Sequence, residues 1–118
     1  MNEALKFAKD SLGIYSWNSW ATHSIAHVFD SRGDSKSGLE FMNRTRSDWL
    51  TGSMLGCHNN WHSALFYLNE GKTIEALEIY DLEIISRVKS QYSHLSMSDA
   101  VSLLLRCVNV SKIFLTII

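Results

Sequence analysis

The sequence predicts an all-α fold in which helix-turn-helix units repeat and stack into an α-solenoid. Two observations predict it. Proline is absent from the 118 residues and glycine occurs only six times, a composition that permits helices throughout and disfavours short strands joined by tight turns. The chain also matches itself at an offset of 38 residues, as from Ala26 to Ala64, and self-similarity at a fixed period indicates a repeat.

The match aligns the segment HVFDSRGDSKSGLEFM with LFYLNEGKTIEALEIY. In the first copy, Ala26 allows a second helix to approach closely, and Phe29 lies on the same face and fills the space beside that contact. Gly33 suits the left-handed end of the first helix, and Gly38 places a second small residue in the return helix. The second copy has Ala64, Tyr67, Gly71 and Ala76 in these positions.

These positions are typical of the tetratricopeptide repeat, so the predicted fold is a TPR-like solenoid. The opening segment EALKFAKDSL matches the return helix, because Ala4 precedes Gly38 by 34 residues, the period of that repeat. We predict one repeat region over 1–108, with helices near 2–12, 17–31, 35–47, 54–69, 73–89 and 98–108. It comprises a partial repeat (1–12), two helix pairs (17–47 and 54–89) and the start of a further unit (98–108). The stretches TRSDWLTGSMLG and SQYSHLSMSDA are predicted to be connections, with Ser98 and Asp99 starting the last helix.

Two longer strings resemble one family more closely. WATHSIAHVFDSRGDSKSGLEFM and MLGCHNNWHSALFYLNEGKTIEALEIYD resemble the tetratricopeptide repeat protein 38 family, and the similarity extends from about residue 4 to residue 106. The resemblance implies an all-helical repeat protein of which this chain is a fragment, with no defined reaction or ligand. The chain departs from the repeat pattern at Thr22 and Asn60, where a large apolar residue is usual.

The segment 109–118, which ends in VSKIFLTII, does not resemble that family. We expect a non-family tail there, as the translation of an intron would give. An exon boundary far from Asn109 in the gene would contradict that origin.

Charge and cysteine usage exclude several classes of function. The formal net charge is −1, from 11 basic and 12 acidic side chains, so bulk charge predicts neither a nucleic-acid nor a membrane partner.

No signal peptide is recognisable at the N-terminus, and we expect a cytoplasmic protein. Cys57 and Cys107 lack a paired spacing, which favours small buried hydrophobic residues over a disulfide or metal pair.

Two H-x-x-x-H pairs, His23/His27 and His58/His62, are the candidates for chemistry. A spacing of four places both members of a pair on one helix face, within reach of a single ion. Both pairs lack the glutamate of the H-E-x-x-H motif, so a metalloprotease is not predicted. At about 100° per residue, both pairs lie beside the packing face of their helices, on the flank that lines the concave groove of a tetratricopeptide solenoid.

Three interpretations of this groove remain open. The histidines are structural and bond to backbone or loops, or they contact a bound peptide or acidic group, or all four hold a metal ion. We favour a non-catalytic protein–protein interaction scaffold without a cofactor, whose partner is an unknown protein or peptide. The alternative is a metal-binding protein or metal-dependent enzyme that uses His23, His27, His58 and His62. The predicted groove residues are Trp20, His23, His27, Asp30, His58, Trp61, His62 and Asn69.

Overall fold

The described part of the chain is helical throughout. The computed structural model describes residues 2–51, 54–91 and 93–117, and no strand occurs among them. The all-α prediction is therefore confirmed. In chain order the elements are α1 (Asn2–Ile14), α2 (Ser19–Ser31), α3 (Ser35–Arg44), α4 (Arg46–Trp49), α5 (Met54–Asn69), α6 (Thr73–Ile79), a π-helical turn (Tyr80–Ile84), α7 (Ile85–Gln91) and α8 (His94–Ile117).

Short polar side chains begin two of these helices. The Asn18 side chain accepts hydrogen bonds from the backbone N–H groups of Trp20 and Ala21, at 3.1 and 3.2 Å. The Asp34 carboxylate accepts one from the Ser37 N–H at 3.1 Å. Since the first N–H groups of a helix have no partner within it, these caps fix where α2 and α3 begin.

The two glycines that the repeat pattern aligned end α2 and α5. Gly33 has φ 66° and Gly71 has φ 74°, the left-handed conformation that we predicted and that favours glycine. In each case the N–H after the glycine donates back into the helix, to the carbonyl oxygen of Phe29 at 3.0 Å or of Tyr67 at 2.8 Å. The same helix ending thus occurs twice, 38 residues apart.

The helices pack in a recurring order. Helix α2 contacts α1, α3 and α5, and α5 contacts α3, α6 and α8. The small residues predicted to permit this packing are buried: Ala26, Ala64 and Ala76 have no exposed surface. A Cβ atom at Gly38 would lie 2.7 Å from the Phe66 ring, so the close approach of α3 to α5 depends on the absence of a side chain there.

Several predicted boundaries are wrong. The stretch after residue 44 contains the short helix α4, whose Trp49 is fully buried, so it is not an extended connection. The last helix begins at His94 instead of 98 and continues to Ile117 through the predicted tail. Buried polar residues, Ser96 and Asp99, occupy core-facing positions of its first turns, and their polarity made this segment resemble a connection.

Asn60, one of the two departures from the repeat pattern, lies in a buried hydrogen-bond network. Its Oδ1 accepts from Arg46 Nη1 at 2.8 Å, and its Nδ2 donates to the Gly56 carbonyl at 2.9 Å. Arg46 also pairs with Glu83 in the π-helical turn, at 3.0 Å. A polar residue is therefore accommodated at this core position because its hydrogen bonds replace the apolar contacts.

Both cysteines are free and buried, as predicted for small hydrophobic residues. They belong to the core formed around α5 and α8. Burial raises the pKa of the Cys57 and Cys107 thiols, which keeps them protonated and unreactive near neutral pH.

None of the helices within the described ranges has the length and hydropathy that crossing a membrane requires.

Candidate metal centre

The two H-x-x-x-H pairs come together where α2 packs against α5. His23 and His27 lie on α2, and His58 and His62 lie on α5. One ring nitrogen of each of these four residues lies within 4.8 Å of the corresponding nitrogens of the others. We call these four residues the histidine cluster. The structure thus brings the two predicted histidine pairs together.

The ring contacts within the cluster cross between the helices. The His23 ring centroid lies 4.9 Å from that of His58 and 5.2 Å from that of His62. His27 and His62 lie 4.6 Å apart, and their rings are nearly perpendicular. The four side chains thus approach one another between the two helices, with one nitrogen of each within 4.8 Å of the others.

His62 forms the floor of the cluster and has no hydrogen-bond partner. Only 1% of its surface is exposed, and neither ring nitrogen is hydrogen-bonded to any described residue. A buried polar group without a partner costs about 1–3 kcal/mol. Within the described residues, His62 thus makes none of the hydrogen bonds to backbone or loops that the structural interpretation expects. A neutral imidazole has one N–H, which requires a hydrogen-bond acceptor, and one lone pair, which requires a proton donor or a cation.

Burial favours the neutral form of the His62 and His23 imidazoles. Burial, followed by repulsion from His58, His27 and His23, lowers the pKa of His62 from 6.5 to about 2. Burial, followed by repulsion from His27 and His58, lowers the pKa of His23 to about 4. Both rings are neutral at pH 7, and a neutral imidazole is the form that binds a metal ion.

The other two members are held differently. His27 Nε2 lies 2.9 Å from His23 Nε2, so one of the two nitrogens donates a proton to the other or both lone pairs face a shared cation. His58 Nδ1 lies 3.0 and 3.1 Å from the two Asp99 oxygens. Its ring is stacked on Trp61, with centroids 5.2 Å apart and an angle of 11° between the planes.

The spacing of the ligand atoms is compatible with a tetrahedral ion. Zinc–nitrogen bonds of about 2.0–2.1 Å place the ligand nitrogens about 3.3 Å apart. The His23–His27 separation of 2.9 Å is shorter than this, and the largest separation in the cluster, within 4.8 Å, is longer.

The remaining predicted groove residues surround the cluster at different depths. Trp20 is 62% exposed and its ring lies 6.1 Å from that of His23, edge-on. Asp30 is exposed on α2 and Trp61 is half-buried on α5. Asn69 lies at the far end of α5, where its Nδ2 donates to Ser35 Oγ at 3.1 Å. Trp20, His27 and Asp30 are therefore accessible to a macromolecular partner, whereas His62 is buried.

Two residues beside the cluster, one in contact with His58 and one with Trp61, were not predicted as site residues. Asp99 bonds to His58, and the Arg106 guanidinium lies 5.6 Å from the Trp61 ring centroid. Both lie on α8, seven residues apart and therefore on one helix face. Asp99 is 41 residues from His58 in the chain, so no local spacing could have indicated the contact.

No family model matches the chain, and no solved structure matches it.

Proposed function

We propose that this chain is a metal-binding helical module whose histidine cluster holds one transition-metal ion between α2 and α5. The observation that carries the proposal is His62, a buried imidazole with two unpartnered nitrogens that faces three other imidazoles. Imidazole nitrogen suits zinc, copper and nickel, whereas calcium and magnesium prefer oxygen ligands. Zinc is the natural first probe, since four neutral ligands suit its tetrahedral geometry.

The number of ligands favours a structural rather than a catalytic ion. Catalytic zinc sites commonly keep a position for water beside three protein ligands, whereas structural sites are closed by four. Four histidines from two helices would close the coordination sphere and tie α2 to α5. A closed site of this kind fits a non-catalytic protein, as the sequence analysis expects. It differs from that expectation in giving the protein a bound ion.

The test is a zinc titration of the purified chain by calorimetry, with the bound metal quantified after dialysis. We expect one zinc ion per chain and a dissociation constant below about 1 µM, equivalent to about −8 kcal/mol. The double variant His27→Ala/His58→Ala removes one ligand from each helix and is expected to weaken binding at least 100-fold. The control is His94→Ala, because His94 is the fifth histidine of the chain and lies outside the cluster.

Absence of both binding heat and stoichiometric metal in the wild-type chain would refute the metal centre. Equal affinity of the double variant and His94→Ala would show that zinc binds elsewhere.

We propose as a second function that the module is an interaction scaffold of the tetratricopeptide type, related to the tetratricopeptide repeat protein 38 family. Two observations support it. Helices α2, α5 and α8 succeed one another with a return helix between each pair, the order in which such repeats pack. The large aromatic side chain of Trp20 is exposed beside the histidine cluster, and tryptophan is a frequent anchor of protein interfaces.

This second function is tested by screening an immobilised peptide array with the wild-type chain and with Trp20→Ala. We expect Trp20→Ala to lose at least tenfold in binding to the peptides that the wild type selects, because truncating an aromatic anchor typically costs about 1–2 kcal/mol or more. Trp17→Ala is the matched control, since Trp17 is 67% exposed in the turn before α2. Equal losses in the two variants, or no selected peptides, would contradict a groove at Trp20.

A further inference from the structure

We propose that Asp99 is a positioning residue for the metal centre and that, through it, metal binding is coupled to the docking of α8. The inference rests on the proposed metal-binding function and deepens it. It identifies a third helix that regulates the affinity of a site whose ligands lie on the other two.

Asp99 orients the His58 ring. Asp99 is buried, with 4% of its surface exposed, and both its oxygens lie within 3.1 Å of His58 Nδ1. A carboxylate at that distance accepts a hydrogen bond, so Nδ1 carries the proton. In the neutral ring, Nε2 is then the unprotonated nitrogen and the one left to bind an ion. Metal-binding histidines commonly donate their other N–H to a carboxylate, which fixes the tautomer and makes the ligand nitrogen more basic.

A second contact constrains the plane of the His58 ring. The His58 ring is stacked on Trp61 at an interplanar angle of 11°, and the Trp61 ring in turn lies 5.6 Å from the Arg106 guanidinium. Asp99 therefore fixes which edge of the ring faces the cluster, and the tryptophan fixes its plane. Both constraints involve residues of α8, through Asp99 directly and through Arg106 by way of Trp61.

Ion affinity is thereby coupled to the docking of α8 on α5. If α8 separates from α5, His58 loses its carboxylate and its ring is free to turn or to change tautomer. An ion that requires the Nε2 lone pair then binds more weakly. By thermodynamic linkage, an ion that binds more tightly when α8 is docked must also strengthen that docking. The other three members of the cluster form no comparable link in the described structure, since none of their nitrogens is bonded to a carboxylate there.

The experiment compares zinc affinity in the wild type, Asp99→Asn and Ser96→Ala by calorimetry, with the cobalt(II) absorption spectrum of each as a second readout. Asp99→Asn keeps the shape of the side chain and removes its negative charge, and we expect the dissociation constant to rise 10–100-fold at unchanged stoichiometry. The visible bands of bound cobalt should shift, because His58 no longer presents one tautomer. Ser96 is a buried α8 residue one turn earlier, and Ser96→Ala should leave both readouts unchanged.

A second measurement needs no variant and so does not depend on whether Asp99→Asn folds. Nitrogen-15 NMR of the wild-type chain should show His58 protonated at Nδ1 without metal, and amide exchange over Met97–Cys107 of α8 should slow at least tenfold when zinc is added. A purely structural Asp99 would change stability without moving the tautomer or the cobalt bands.

The outcomes separate the two proposals. Zinc binding by the wild type with an unchanged constant in Asp99→Asn, or with protection confined to α2 and α5, would overturn the role of Asp99 and leave the metal centre standing. A wild type that binds neither zinc nor cobalt would overturn the metal centre itself.

Discussion

Replacing His62 by leucine should stabilise the metal-free protein and abolish its response to zinc. The two unpartnered nitrogens of His62 are buried, and an apolar side chain of similar size removes their desolvation cost, about 1–3 kcal/mol. The same substitution removes one of the four ligands. Zinc at about 1,000 times its dissociation constant would stabilise the wild type by about 4.1 kcal/mol, more than the leucine contributes, and would add almost nothing to the variant.

The order of stability should therefore reverse with zinc. Thermal unfolding in chelator should rank His62→Leu above the wild type, and unfolding in excess zinc should rank it below. The control is His94→Leu, an exposed position in the first turn of α8, which should retain the full zinc response. A His62→Leu variant that is less stable in chelator and still gains stability from zinc would show that His62 is an ordinary core residue.

The metal-free protein should lose stability as the pH falls below about 6.5. The pKa of His62 is about 2 in the folded protein, against an ordinary histidine value of 6.5. A lowered folded pKa means that the unfolded chain binds the proton more readily, so the stabilisation is fully present above pH 6.5 and declines as the pH falls toward the folded pKa. Between its folded and unfolded pKa values, one such group lowers the free energy of unfolding by about 1.4 kcal/mol for each unit of falling pH. His62 alone should thus contribute a loss of about 2–3 kcal/mol between pH 6.5 and 4.5.

His23 shifts in the same direction, to about 4, and adds a smaller loss because its ring is partly solvated. The measurement is urea unfolding in chelator at several pH values between 7.5 and 4.5, for the wild type and His62→Leu. The variant should show a shallower decline, since leucine cannot take up a proton. Identical slopes in the two proteins would mean that acid destabilises the chain through other groups.

The parts of this molecule that local rules control were predictable from the sequence. Gly33 and Gly71 both end helices with positive φ, because the left-handed conformation favours glycine wherever the chain is. The meeting of the two histidine pairs also followed from helix periodicity and the repeat offset, since both determine which faces meet.

The parts that tertiary contacts decide were not predictable. The start of α8 at His94 was missed because buried Ser96 and Asp99 interrupt the apolar pattern. The π-helical turn at Tyr80–Ile84 has no composition that distinguishes it from an α-helix. Asp99 itself was interpreted as part of a helix start, and its contact with His58 depends on how α8 packs against α5.

The division of the histidine cluster into two local pairs has a consequence for folding if the proposed ion binds. Each pair spans one helical turn, so an ion can bridge His23 to His27, or His58 to His62, before any long-range contact exists. Forming the first turn is the costly step of helix formation, and such a bridge would offset part of that cost. The ion would then accelerate folding as a nucleus and bring the two nascent helices together. It would also bind unfolded chains, which reduces its net effect on the folding equilibrium.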